Sequence, residues 1–466
     1  MAEYDVVVIG AGPAGYVAAI RASQLGQKVA IVDKEFLGGV CLNVGCVPSK
    51  SLLKNAEVAH TLRERGKEFG FSMSELKLDY SVAVKRSRQV SDRLTKGVAF
   101  LMKKNKIDVF MGAATLTGKN SLDVKLTEGG KKESFTAKNI IIATGAHALT
   151  PPGMEADGKQ VLTYWEAILQ EKLPKSVVIV GAGAIGAEFA TIWSSYGVAV
   201  TLVEMQDSIL PLEDPEVSKE LAKAFAKRGI TLKTGAKVES IEKLKTKVKV
   251  NISGKEGQEA LDTDQVLVAI GFRPNTAKIG LDKAGVALGE RGEILIDERM
   301  STNVPGIWAI GDVTAKLMLA HVGSAMGIIA AENIVGVESI TLDYQMMPRA
   351  TYSQPQVASF GMTEAQAAEK GYKVKVGRFN FQANGKALGL GDYAGWVKLI
   401  TDEQYGEILG AHMVGPEVTE LLPELTIAQM MELTTTEIAR NVHAHPSLSE
   451  VLMEAAHAAE GHSIHS

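Results

Sequence analysis

A chain of 466 residues exceeds what one hydrophobic core holds and calls for two to four domains. Its 46% hydrophobic and 22% charged residues match an ordinary water-soluble protein, and a net charge of −4 offers no basic surface for nucleic acid. Two cysteines in the whole chain exclude a secreted disulfide framework, and no apolar run is long enough for a membrane span. Met1-Ala2-Glu3 leads straight into a strand without signal features, so the expected compartment is the cytoplasm.

Tyr4 to Ile9 is a short β-branched run that reads as a buried parallel strand. Gly10-Ala11-Gly12-Pro13-Ala14-Gly15 follows, then an Ala-rich helix to about Leu25, ended by Gly26. Val29 to Asp33 is a second strand that finishes in an acid. Strand, glycine-rich turn, helix, strand, acid is the pattern of a dinucleotide site. The glycines let the backbone approach a pyrophosphate at the helix N-terminus, and the acid takes a ribose hydroxyl.

Gly38 to Lys50 holds both cysteines, Cys41 and Cys46. On an ideal helix a five-residue step separates Cα atoms by about 8–9 Å. A disulfide needs about 4.4–6.8 Å. Closing the pair therefore requires a bent backbone, which Gly45 would ease. A disulfide in so short and strained a loop would be readily reduced. The alternative is two free buried cysteines, although in a cytosol a cysteine pair is more often catalytic than structural.

The dinucleotide pattern returns. Ser176 to Val180 precedes Gly181-Ala182-Gly183-Ala184-Ile185-Gly186, a helix to about Tyr196, and a strand from Val198 to Glu204. Gly10 to Gly181 and Asp33 to Glu204 are the same 171 residues apart. Ile107–Gly112 and Ile230–Gly235 match at an offset of only 123, so the first copy carries 48 more residues, and these include the cysteine pair. Each copy continues in alternating strands, near 114–135 and 238–261. Each closes in an apolar strand, Ile140 to Gly145 and Val266 to Gly271. Two dinucleotide folds imply two dinucleotides, or a duplication with one site lost.

Ile307 to Ile310 is a further short strand ending in Gly311-Asp312, whose acid either binds a ligand hydroxyl or serves a turn. A helix near Ala320 to Ile334 is rich in small residues suited to close packing on a sheet or a ligand. From about Met346 the pattern becomes antiparallel, with strands at 351–359, 372–381, 395–400 and 408–412 and helices at 417–431 and 447–459. Pro355 makes the first of these strands an edge or an interruption. This separate α+β region is apolar enough to pair with a copy of itself. In His443 to Glu450, Pro446 keeps His445 out of the following helix. Ser447 and Glu450 fit a capping box. Beside a dithiol, His445 would be a proton acceptor that Glu450 orients. His462 and His465 read as a frayed terminus, and no metal site is expected. The fold class is therefore α/β: two Rossmann-like dinucleotide-binding domains plus a C-terminal α+β dimerisation domain. The expected segments are 1–147, 148–273, a central 274–345 that completes the first domain, and 346–466.

These stretches span nearly the full length. In order and content they resemble the class I FAD-dependent pyridine nucleotide-disulfide oxidoreductases. The resemblance implies FAD on Gly10, Gly12, Gly15, Asp33 and Asp312, and a nicotinamide nucleotide on Gly181, Gly183, Gly186 and Glu204. Thr144, Gly145, Gly271 and Gly311 are implied as further cofactor positions, and Lys50 with Glu188 as the pair beside the reactive flavin edge. It also implies a Cys41–Cys46 redox disulfide and a homodimer in which His445 serves the other subunit's cysteines. Within the family the chain is most similar to the branch that oxidises dihydrolipoyl groups. That branch's partners are lipoyl proteins of 2-oxo acid dehydrogenase or glycine cleavage complexes. Glu204 favours NAD, because a carboxylate accepts a ribose diol and repels a 2′-phosphate, and Met205 to Glu216 contain no Arg or Lys. That opposes a glutathione-type reductase. The lack of further cysteines and the presence of His445 oppose a mercuric reductase. Intact Cys41, Cys46, His445 and Glu450 oppose a non-catalytic flavin scaffold. Val40 departs from the family, which has Thr before the first cysteine.

Overall fold

The computed structural model describes residues 2–255 and 257–465. β1 (Ala2–Ile9) lies between two parallel neighbours, β2 (Val29–Asp33) and β5 (Lys132–Ile142). β3 (Asp108–Gly118) begins parallel to β2. It then leaves the layer to pair antiparallel with β4 (Ser121–Leu126), which pairs with the first half of β5. The short strand Ile307–Ala309 adds to the far side of β5, so the chain returns to its first sheet after the second unit. Valines and isoleucines run unbroken along these strands because both faces are covered. Val6, Val8, Ile31 and Ile141 face helix α1 (Pro13–Gln24), while Val7, Ile9, Val32 and Ile142 face the β3–β5 ribbon.

The second unit repeats this plan. Ser176–Val180 lies between Ala199–Val203 and Gln265–Val268, all parallel, and an antiparallel ribbon of 236–243, 248–254 and 257–263 stands beside them. Between its second and third strands the first unit holds three helices, α2 (Gly39–Val44), α3 (Cys46–Glu64) and α4 (Tyr80–Lys104), where the second holds one, Pro215–Lys227. The two units are laced together where Phe272–Pro274 pairs with Ala146–Ala148.

The C-terminal sheet runs Arg349–Thr351, Gln356–Gly361, Ile408–Gly415, Trp396–Asp402, Val374–Asn380, all antiparallel. Of the two readings of Pro355 the interruption holds: the run at 351–359 is two strands, broken where Pro355 has no N–H to give a ladder. Two expectations are corrected here. The small residues of the helix Ala320–Val335 pack on another helix rather than on a sheet: a Cβ on Gly327 would stand 2.6 Å from the Ala14 carbonyl oxygen. The tail does not fray at His465, whose Nδ1 meets the buried Glu454 carboxylate at 2.5 Å. A short helix, Thr435–Arg440, was not foreseen; Thr434 and Glu437 cap it reciprocally. Among the described residues no helix is long and apolar enough to cross a membrane, and no His, Cys, Asp and Glu cluster could hold a metal ion.

Candidate active site

The two glycine-rich turns have one geometry. Gly10 and Gly181 have φ of +106° and +100° and lie so close to the neighbouring strand that a Cβ would meet the carbonyls of Ala143 and Ala269 at 2.1 and 2.4 Å. The third glycines pack each helix onto its own turn: a Cβ on Gly15 or Gly186 would stand 1.9 or 2.0 Å from the carbonyl of Gly10 or Gly181. The middle glycines, Gly12 and Gly183, have nothing within 4 Å of a Cβ, so each helix N-terminus is open to an approaching anion. The strand-end acids brace the turns. Asp33 accepts the Ala11 N–H at 2.7 Å and those of Glu35 and Phe36, and Glu204 accepts the Ala182 N–H at 2.8 Å and that of Gln206.

Gly45 is where α2 stops and α3 starts, with ψ of −117°, so the backbone turns between the cysteines as their spacing requires. The expected disulfide is not formed. Both cysteines are free thiols, Cys46 exposed and Cys41 half-buried, the reduced state of the pair. They differ sharply. A hydrogen bond to Cys46 and burial push the Cys41 thiol up, while the hydrogen bond from Cys41, helped by Lys50 and opposed by burial, brings Cys46 down. Lys50 is one helical turn after Cys46, on the same face of α3. Its ammonium meets both Glu188 oxygens at 2.9 Å and lies 4.4 Å over the Tyr352 ring. Burial would lower the Lys50 pKa, but Glu188 and Cys46 outweigh it and raise it. Glu188 is 6% exposed and also accepts the Tyr352 backbone N–H. One carboxylate on the second dinucleotide fold thus joins the cysteine helix to the C-terminal region.

Asp312 lies in a short 3-10 turn after the strand Ile307–Ala309. Burial pushes its pKa up to about 6, and no described residue bonds to its carboxylate. An unsatisfied acid of this kind suits the hydroxyls of FAD. Gly311 has φ of +71° and would meet the Ala14 Cβ at 3.0 Å if it carried a Cβ. Thr144, Gly145 and Gly271 lie at the crossing between the two units. The Thr144 hydroxyl donates to the Asn275 carbonyl at 2.7 Å, Gly145 accepts the Asn275 N–H and Gly271 accepts the Leu149 N–H.

His445 Nδ1 meets Glu450 Oε1 at 2.8 Å, and Glu450 Oε2 accepts the Ser447 N–H at 2.7 Å. Glu450 therefore orients the ring and accepts the Ser447 N–H, but the expected capping box is not formed: the N-cap is Ser449, no side chain caps the helix, and the Ser447 hydroxyl meets the Ser449 hydroxyl instead. The helix begins at Glu450, three residues later than expected. The His445 side chain is 79% exposed, and no hydrogen bond, ion pair or ring contact joins it to either cysteine of its own chain among the described residues. Sequence reasoning missed three tyrosines near the thiols. Burial, with Cys41 nearby, raises Tyr16; burial and the nearby Asp312 push Tyr164 up to about 12; Tyr352 stacks on Lys50. Tyr16, one residue past Gly15, was the only one with a signal in the chain order.

Two dinucleotide folds that meet at a cysteine pair held by a buried lysine–glutamate bridge define a nucleotide-dependent dithiol–disulfide oxidoreductase. Residues 4–327 match the family model of pyridine nucleotide-disulphide oxidoreductases and 347–456 match that family's dimerisation domain. The chain belongs to this family. It is 54% identical to the dihydrolipoyl dehydrogenase of Mycobacterium leprae over 100% of both chains. It is 52% identical to that of Corynebacterium glutamicum and 43% to that of Bacillus subtilis, with 99% of each chain covered. Among solved structures it is similar to LpdA from Mycobacterium tuberculosis, with a TM-score of 0.91 at 26% identity over 98% of this chain and 99% of that one. The HOCl-induced flavoprotein disulfide reductase RclA from Escherichia coli gives 0.87 at 28% identity, with the same coverage.

Proposed function

We propose that this chain is an NAD-dependent dihydrolipoyl dehydrogenase that oxidises protein-bound dihydrolipoamide to lipoamide, with FAD as its cofactor. The observation that carries the site assignment is geometric: the two cysteines flank the bend at Gly45, and one helical turn past Cys46 stands Lys50, its ammonium held by both Glu188 oxygens at 2.9 Å, with Cys41 raised and Cys46 lowered by their shared hydrogen bond. In the oxidised enzyme the two form a disulfide. His445 of the partner subunit, held by Glu450, accepts a proton from one substrate thiol. The resulting thiolate attacks Cys41 Sγ, the Cys41–Cys46 bond breaks, and Cys46 leaves as a thiolate that Lys50 favours. The second substrate thiol attacks the substrate sulfur of the mixed disulfide, the lipoyl S–S bond closes, and Cys41 leaves with that thiol's proton. The substrate has lost two electrons and two protons. The cysteine pair has gained the electrons, with one proton on Cys41 and one on His445. FAD, when bound, supplies the two-electron relay from this pair to NAD⁺.

Gly10, Gly12, Gly15, Asp33, Thr144, Gly145, Gly311 and Asp312 hold FAD in this reading. Gly181, Gly183, Gly186, Glu204 and Gly271 hold NAD, and Glu188 keeps Lys50 in place between the two. The working unit is a homodimer, because His445 has no contact with the cysteines of its own chain. Its partners are lipoyl proteins of 2-oxo acid dehydrogenase or glycine cleavage complexes, and its compartment is the cytoplasm. Mixed dimers test this. Cys46→Ser and His445→Ala homodimers should each be inactive. After random subunit exchange, about half of the dimers carry both variants and each has one complete site, restoring about a quarter of wild-type turnover. No recovery after verified exchange would overturn the shared site.

A further inference from the structure

The C-terminal sheet carries one row of polar side chains across all five of its strands. In register, Arg349 faces Ser359, Ser359 faces His412, His412 faces Lys398 and Lys398 faces Arg378. Residues paired in this way share one face of the sheet. Against the row lies the segment Glu213-Asp214-Pro215-Glu216 from the second dinucleotide fold. Lys398, 3% exposed at its side chain, meets Asp214 at 2.9 Å, Glu216 at 2.7 Å and Glu364 at 2.9 Å. Glu213 accepts from Ser359 at 2.5 Å and pairs with Arg349 at 3.4 Å, and Glu216 also pairs with Arg378 at 3.3 Å. His412 is fully buried: one ring nitrogen meets the Met362 carbonyl, and Nδ1 has no partner among the described residues.

The acids of this seam are tied to the nucleotide turn. Asp214 caps the helix Pro215–Lys227 through the Glu216 N–H. Four residues before Asp214, Leu210 donates its N–H to the carbonyl of Ala182, inside the glycine-rich turn, at 2.9 Å. The same loop starts at Glu204, which accepts the Ala182 N–H. The segment 204–214 is thus pinned at its end by the seam, while its first residue, Glu204, and its middle residue, Leu210, hold both polar groups of Ala182.

We infer that Lys398, with Arg349, Ser359 and Arg378 beside it, is a positioning residue for the nucleotide half of the reaction: the seam sets the 205–214 loop and through it the glycine turn and Glu204 that receive NAD. This rests on the reading of the second fold as the NAD site and adds residues nearly two hundred positions away in sequence. The seam is anchored to the C-terminal sheet and makes no contact with the cysteines, so the dithiol half of the reaction is independent of it.

The test uses the FAD-loaded enzyme, Lys398→Met and Lys398→Arg. Three quantities are measured: the NAD⁺ dissociation constant by fluorescence titration, the rate of flavin bleaching by NADH, and the rate of flavin bleaching by dihydrolipoamide. Displacing binding groups by a fraction of an ångström is expected to weaken NAD⁺ binding and slow the NADH reaction by about tenfold in Lys398→Met, to leave dihydrolipoamide bleaching within about twofold, and to be largely reversed in Lys398→Arg. Unchanged NAD⁺ affinity, or equal loss in both half-reactions, overturns the inference. If Lys398→Met does not fold, Ser359→Ala and Arg378→Gln carry the test, with a weakening of a few-fold expected and no change overturning it. A wild-type enzyme that fails with dihydrolipoamide would refute the proposed substrate and leave the NAD⁺ titration as a valid test of the seam.

Discussion

Gly12 and Gly15 look alike in the sequence and are glycine for opposite reasons. A Cβ on Gly15 would sit 1.9 Å from the Gly10 carbonyl oxygen. Ordinary contact is about 3.5 Å, so the first turn of α1 would have to withdraw by about 1.5 Å. Because the obstacle is main chain and cannot rotate aside, Gly15→Ala belongs at the upper end of overpacking costs, about 3 kcal/mol. For a domain of this size that lowers Tm by about 6–12 °C. Gly12 has φ of −67°, which any residue adopts, and nothing within 4 Å of a Cβ. Gly12→Ala should therefore change the stability of the FAD-stripped protein by no more than about 0.5 kcal/mol. Its methyl would stand where phosphate oxygens approach the helix N-terminus. Losing one charge-assisted hydrogen bond there costs about 1.5–3 kcal/mol. That weakens FAD binding by about 10- to 100-fold. Thermal unfolding of the stripped protein and a fluorescence titration with FAD separate the two effects. A Gly12→Ala protein that binds FAD like wild type, or that unfolds as early as Gly15→Ala when stripped, would refute this reading of the turn.

The same contrast should hold in the second fold: Gly186→Ala destabilises, while Gly183→Ala leaves Tm and raises the KM for NAD⁺. Burial raises Asp312 to about 6 from 3.8, so between those pH values the stripped protein binds a proton that the unfolded chain does not. Its stability falls as pH rises through that window. Hydroxyl donors of FAD favour the carboxylate, so FAD affinity should tighten from pH 5 to pH 7, and equal affinities would remove Asp312 from the site. Burial would raise Asp214, but Lys398 overrides it and holds the carboxyl below the usual range. That stability is present at neutral pH and is lost as pH falls below the ordinary carboxylate range and through the lower folded pKa. Acid unfolding of wild type against Asp214→Asn measures it, and parallel curves would deny the effect. Glu450→Ala should slow flavin bleaching by dihydrolipoamide by about 10²-fold and shift its pH profile, while NADH bleaching holds; equal loss in both would contradict the orienting role.

Both glycine turns were legible in the chain because their chemistry is local. Gly10 to Asp33 and Gly181 to Glu204 carry spacing, helix and acid within a single strand–helix–strand unit. The bend between Cys41 and Cys46 was legible for the same reason, since Gly45 lies between them. The strand Ile307–Ala309 could be read as a strand, and its place beside β5 followed from the family resemblance rather than from its own residues. That the first unit places three helices where the second has one was visible only as 48 surplus residues, because the offset between copies counts length and not shape. Tyr352 and the seam were invisible. Arg349, Ser359, Arg378, Lys398 and His412 come from five strands, and three of the acids they meet, Glu213, Asp214 and Glu216, lie far upstream at the start of a helix in the second dinucleotide fold. No period or motif joins residues that only register and packing bring together. The break at Pro355 was half legible: the ring forbids a ladder bond, but only the fold decides between an edge and an interruption. The docked tail was missed because a polar terminus carries no sign of a buried acceptor such as Glu454.

The most direct test of the central claim is NADH formation from dihydrolipoamide by the FAD-loaded protein, with NAD⁺ and NADP⁺ in parallel. The account predicts rapid turnover with NAD⁺, little with NADP⁺ because Glu204 repels the 2′-phosphate, and none in Cys46→Ser despite bound FAD. A yellow protein that NADH still bleaches but dihydrolipoamide does not would contradict it, and would send the cysteine pair to another disulfide substrate.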